Sequence, residues 1–98
     1  MNQLIAVLEE AMARVADPDN DFSWSSWLDR ADAIQELEGI LVALRSGVSP
    51  RHLSIAFLFA PTGPMQEVSL SSGWGEAFLT LADRLDTALA AVEVADDP

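Results

Sequence analysis

The chain contains no cysteine, which excludes disulfide bonds, thiolate nucleophiles and zinc–thiolate sites. It also has no apolar run long enough to cross a bilayer. Its first residues lack the basic segment of a signal peptide, and Glu9 and Glu10 interrupt the apolar stretch that follows. We therefore expect a cytoplasmic protein that does not enter membranes.

Basic residues are scarce as well, because five arginines and no lysine stand against 16 acidic residues. The formal net charge of −11 repels phosphate groups, which argues against binding to nucleic acid or to anionic membrane surfaces. The same charge attracts a basic protein partner and speeds its association at low salt. A second interpretation stays open, in which the charge serves only to keep the protein in solution.

Residues that could carry catalysis or bind a metal are few. His52 is the sole histidine, and no Gly-x-Ser-x-Gly pattern surrounds a serine. The acidic run 17–21 begins like a calcium-binding loop, but Phe22 stands in place of its glycine and Leu28 in place of its glutamate. The segment 73–75 lacks the third glycine of a dinucleotide-binding turn. We predict no catalytic residues, no metal site and no cofactor.

The apolar pattern of the N-terminal half predicts two helices within a single domain that spans residues 1–98. The first helix is expected near residues 2–16, ending before Pro18. The second is expected from Ser25 or Ser26 to Gly47. Gly39 lies inside this second helix and should weaken it by about 1 kcal/mol relative to alanine. The apolar face of the second helix contains Trp27, Ile34, Leu37, Leu41 and Leu44.

The pattern changes from helical spacing to alternation in the second half of the chain. Residues 53–60 predict one β-strand and residues 65–70 a second, with Val68 and Leu70 in the core. A third helix should then run to about Val92, before a frayed acidic tail at about residues 94–98. The predicted fold class is therefore α+β, with two N-terminal helices, a two-stranded antiparallel β-hairpin and a C-terminal helix packed on the hairpin.

An isolated two-stranded hairpin raises a question of stability. Such a hairpin is marginal in water, and its edges carry unpaired backbone groups. We therefore expect a homodimer in which two hairpins join edge to edge or pack face to face. The alternative is a monomer whose helices cover both faces of the hairpin.

Three groups of residues are candidates for an interaction surface. The first is a set of acidic side chains that fall away from the apolar face of the second helix. The second is a pair of tryptophans near helix starts, because tryptophan is enriched at binding hot spots. The third is the rigid, proline-bearing turn between the predicted strands. The full set is Trp24, Asp29, Asp32, Glu36, Glu38, Pro61, Thr62, Gly63, Pro64 and Trp74.

Each group also has a plain structural interpretation: a solvated helix face, tryptophans packed at the ends of the core, and a turn that closes a hairpin. Together the observations favour a non-enzymatic protein–protein interaction module that self-associates. Two alternatives stay open. One is an immunity-type or antitoxin-like inhibitor that covers a basic partner protein, and the other is a small-molecule binder that uses Trp24, Trp74 and the hairpin turn.

Overall fold

The described part of the chain folds into five α-helices and contains no β-strand, as a computed structural model shows. The structure describes residues 2–23, 25–50, 53, 55–60 and 63–96. The predicted α+β fold class and its β-hairpin are therefore wrong. In chain order the helices are α1 (Asn2–Val15), α2 (Arg30–Arg45), α3 (Ile55–Leu58), α4 (Pro64–Ser72) and α5 (Gly75–Asp96).

Helix α1 is the central element, because it packs against both α2 and α5. It lies where the sequence predicts the first helix and buries Leu4, Leu8 and Val15 on its apolar face. Two exposed ion pairs join it to its neighbours, one from Glu9 to Arg45 of α2 and one from Glu10 to Arg84 of α5. Exposed pairs of this kind stabilise a fold by less than about 1 kcal/mol, so apolar burial holds the three helices together.

Helix α2 begins at Arg30, later than the predicted start at Ser25 or Ser26. Asp29 is the N-cap, and its carboxylate accepts a hydrogen bond from the backbone N–H of Asp32 at 2.9 Å. The Asp32 carboxylate in turn accepts from the backbone N–H of Leu28 at 3.1 Å. This reciprocal arrangement satisfies two amides at the helix end, and aspartate caps a helix at least as well as serine does.

The segment 53–60, predicted as the first strand, instead contains the short helix α3. Ile55, Leu58 and Phe59 are buried, whereas the side chain of Phe57 is 64% exposed. Alternation would have placed Ile55, Phe57 and Phe59 on one face, but the observed spacing of three and four residues is helical. A helical turn satisfies its hydrogen bonds locally, whereas a two-stranded hairpin leaves both of its edges unpaired.

The segment 65–70, predicted as the second strand, instead lies within helix α4. Pro64 occupies its first turn, where the missing N–H is no loss, and Gly73 caps its end with a φ of 86°. Met65, Val68 and Ser69 are buried, as helical spacing requires. Leu70 was expected in the core, but its side chain is 66% exposed.

The long helix α5 packs against α1 and α4 and reaches Asp96, within the predicted frayed tail. The Phe78 ring stacks on Phe59, with ring centroids 6.3 Å apart. The loop between α1 and α2 runs along α4, because the Asp21 N–H donates to Ser72 Oγ at 2.8 Å and Ser25 Oγ donates to the Pro64 carbonyl at 3.3 Å. Among the described helices, none is long and apolar enough to cross a membrane.

Candidate interaction surface

Three of the four acidic candidates on the second helix have hydrogen-bond partners within the chain. Asp29 and Asp32 cap α2, as described above. Glu36 Oε2 accepts a hydrogen bond of 2.6 Å from the indole N–H of Trp27, whose side chain is buried. These carboxylates therefore hydrogen-bond within the chain and fix residues 27–29 against the start of α2.

Glu38 differs from the other three, because no hydrogen bond or ion pair to another described residue engages its exposed side chain. It lies on a shallow, open region of about 830 Å³ along the solvent side of α2, to which no other described element contributes a lining residue. Asp29 and Arg30 line its N-terminal end. We call it the α2 groove, and its remaining lining residues are Ala31, Ile34, Gln35, Glu38, Gly39 and Val42.

The α2 groove combines exposed apolar side chains with a glycine. Ile34 is half-buried against the core, and Val42 is 56% exposed. Above Gly39 there is open space: a Cβ atom built there would meet no heavy atom within 4 Å. The groove therefore offers an apolar strip with room for another group to approach the α2 backbone.

A second concave region lies where α4 meets α5, around Trp74. It has a volume of about 710 Å³, and we call it the Trp74 notch; its walls include Trp74 with Arg14, Leu70 and Leu79. The indole N–H of Trp74 donates to Asn20 Oδ1 at 2.8 Å, and the Arg14 guanidinium lies 6.0 Å from the centre of the indole ring. Trp74 is thus fixed in position by an amide and by a cation–π contact.

The candidate turn does not share a patch with Trp74. Gly63 and Pro64 are buried at the start of α4, whereas Trp74 follows the end of that helix. Nine residues of helix separate them, a length of about 13 Å. The other candidates in these two groups, Trp24, Pro61 and Thr62, lie outside the described residues, as does His52.

The acidic loop between α1 and α2 is satisfied by its own backbone. The Asp17 carboxylate accepts from the N–H of Asp19, and the Asp21 carboxylate accepts from the N–H of Ser23, both at 2.9 Å. Hydrogen bonds from the Ser23 side chain and backbone lower the pKa of Asp21 below its usual value. Over the described ranges, no group of three or more histidine or carboxylate side chains is placed to hold a metal ion.

Comparison with protein-family models, with curated proteins and with solved structures found no match for this chain. The structure adds Ile34, Gly39 and Val42, which line the α2 groove, to the candidate residues predicted from the sequence. The sequence could have indicated Val42, because it is an apolar residue that lies away from the helix face formed by Leu37 and Leu41.

Proposed function

We propose that this protein is a non-enzymatic interaction module whose α2 groove docks a helix of another protein. The observation that carries the proposal is the solvent side of α2, where the exposed Val42 and the half-buried Ile34 flank Glu38 beside the open space over Gly39. Apolar side chains on one face of a helix, with polar groups beside them, are the contacts that helix docking uses.

The shape of the α2 groove favours a macromolecular partner over a small molecule. Small-molecule sites are concave and bury most of the ligand between several elements. The lining residues of the α2 groove all belong to one helix and its N-cap, so a small ligand would stay largely in water. A helix laid along α2 would cover Ile34 and Val42 together.

The experiment is an affinity capture from native lysate in which the wild-type protein is compared with two variants. Gly39→Leu places a bulky side chain in the α2 groove. Ala90→Leu places the same side chain at an exposed position of α5, away from the groove, and serves as the matched control. Quantitative mass spectrometry measures each captured protein, and circular dichroism checks that both variants remain helical.

The proposal predicts that one protein is captured near stoichiometrically by the wild type and by Ala90→Leu. Gly39→Leu should capture it at least about tenfold less, because the added side chain blocks approach to the α2 backbone. Equal capture by Gly39→Leu and the wild type would show that partners bind elsewhere.

An inhibitor of the immunity or antitoxin type is one specific form of this proposal, in which the docked helix belongs to a basic toxin or enzyme. A homodimer is the other form, although the hairpin edges that motivated it are not part of the fold. The capture experiment separates these forms, because a homodimer would bring down only further copies of the chain. We place this activity in the cytoplasm, which a fluorescent fusion protein would test.

A second candidate function, small-molecule binding, is favoured by the Trp74 notch. Three helices contribute to this notch, and it combines apolar side chains with the Arg14 guanidinium. A fragment screen by NMR would test the idea, with Trp74→Phe as the variant and Trp27→Phe as a control at a buried tryptophan outside the notch. Fragments that bind the wild type and Trp27→Phe but not Trp74→Phe would support small-molecule binding at the notch. An absence of such fragments would rule it out.

A further inference from the structure

We infer that the α2 groove binds an amphipathic helix whose apolar side is flanked by a surplus of lysine or arginine. This inference rests on the proposed function, because it names the chemistry of the partner that the groove accepts. It is carried by Gly39, by the Glu38 carboxylate, which no other described residue engages, and by the charge of the whole chain.

Gly39 has no explanation within the described fold. Its backbone is helical, and the described glycines with positive φ are Gly47 and Gly73. A Cβ atom at Gly39 would also touch nothing, so packing inside the chain does not require a glycine. A mid-helix glycine nevertheless weakens a helix by about 1 kcal/mol relative to alanine. Close approach of an external group accounts for it, because only glycine leaves the α2 backbone uncovered.

Glu38 supplies the electrostatic side of the groove. It follows Ile34 and precedes Val42 by four residues, so all three side chains lie along one face of α2. Its carboxylate is not engaged by any other described residue. A cation on the docked helix would pair with it beside the apolar strip.

Arg30 adds an opposite charge at the N-terminal end of the groove. It lies two helical turns from Glu38, about 12 Å along the axis. A docked helix is therefore expected to place its basic residues beside Glu38 and an acidic or neutral residue beside Arg30. This polarity fixes one direction of the partner helix relative to α2.

The net charge favours a basic partner over a second copy of the chain. Two copies would bring together two molecules of charge −11, and their mutual repulsion opposes association at low salt. A basic helix is attracted by the same field, and electrostatic complementarity raises its association rate. The partner expected on α2 is therefore a basic helix, and binding of a second copy is the alternative that the test distinguishes.

The test uses a displayed library of peptides 16 residues long, the length of α2, with fixed leucines at helical spacing and random lysine, glutamate or glutamine elsewhere. Five proteins are used as bait: the wild type, Gly39→Leu, Ala90→Leu, Glu38→Gln and Glu76→Gln. Glu76→Gln is the matched control for the loss of one exposed carboxylate. Selected peptides are resynthesised, and their affinities are measured at low and high salt.

The inference predicts enrichment of peptides with a net positive charge. Their affinity should fall about two- to fivefold with Glu38→Gln and more than about tenfold with Gly39→Leu. Ala90→Leu and Glu76→Gln should bind like the wild type, which excludes attraction by overall charge alone.

Two other outcomes would overturn it. Enrichment of neutral or acidic peptides would rule out a basic helix as the partner of the α2 groove. Basic peptides that bind Gly39→Leu as well as the wild type would do the same. A wild-type dimer in analytical ultracentrifugation that Gly39→Leu dissociates would replace it with a second copy. Failure of the proposed function is distinguished by the capture experiment, because Gly39→Leu and the wild type would then capture the same amount of partner from lysate.

Discussion

The hydrogen bond between Trp27 and Glu36 shows how one acidic residue serves the fold rather than a partner. Trp27 precedes α2 but is buried, and its indole N–H needs an acceptor. Glu36, in the second turn of α2, supplies a charged oxygen at 2.6 Å. Glu38, two residues later, has no such partner among the described residues, although the sequence gives both glutamates the same solvent-facing pattern.

Replacement of these two glutamates should therefore have unequal effects on stability. Glu36→Ala is expected to lower the free energy of unfolding by about 1–2 kcal/mol, because the indole N–H loses a charged acceptor. Glu38→Ala, the matched control on the same helix, should change it by less than about 0.5 kcal/mol. Urea denaturation followed by circular dichroism measures both values. Equal losses for the two variants would mean that the Trp27 contact does not stabilise the fold.

At the scale of the elements, the connection between α3 and α4 depends on Gly63. The N–H of Gly63 donates to the carbonyl of Ala60 at 2.8 Å, and a Cβ atom at this glycine would lie 2.4 Å from the carbonyl oxygen of Phe57. Backbone atoms cannot move aside without displacing α3. The tight turn therefore requires a glycine for steric reasons, and it directs α4 back along the loop that precedes α2.

Gly63→Ala should destabilise the protein by about 1–3 kcal/mol, the range for overpacking a filled site. Gly75→Ala is the matched control, because the nearest atom to its added methyl is the flexible Leu70 Cδ2 at 3.1 Å. That variant is expected to stay within about 0.5 kcal/mol of the wild type. Thermal unfolding compares the two, and a neutral Gly63→Ala would contradict the steric account of the turn.

The elements also show where the sequence could predict the fold and where it could not. Helix α1 and most of α2 and α5 follow from long apolar patterns with helical period, and these predictions are confirmed. The segments that form α3 and α4 are too short for periodicity to decide, since Ile55 and Phe59 fit both templates. Pro64 and Gly73 did mark the ends of α4, but proline and glycine are equally typical of turns.

The candidate surface was predictable in part, for the same reason. The location of acidic residues on α2 could be predicted from the sequence. Their partners could not, because the Trp27 contact depends on a loop conformation that no periodic pattern encodes. The groove depends on which side of α2 the core covers, and that is a property of the packing of α1 against α2.

For the whole molecule, we propose that one face of α2 serves a partner rather than the fold. All five helices contribute to the core, which leaves Val42 exposed and covers Ile34 only in part. Gly39 lies among these residues and weakens α2 without serving the packing of the described chain. A strongly acidic protein thus carries an open face on α2 that contains the Glu38 carboxylate, which no other described residue engages.

The most direct measurement is the free energy of unfolding of Gly39→Ala, compared with the wild type by urea denaturation. The account predicts an increase of about 0.5–1 kcal/mol, because alanine favours the helix and its methyl group meets open space. A decrease would show that the fold itself requires Gly39, and it would contradict the assignment of the α2 groove to an external partner.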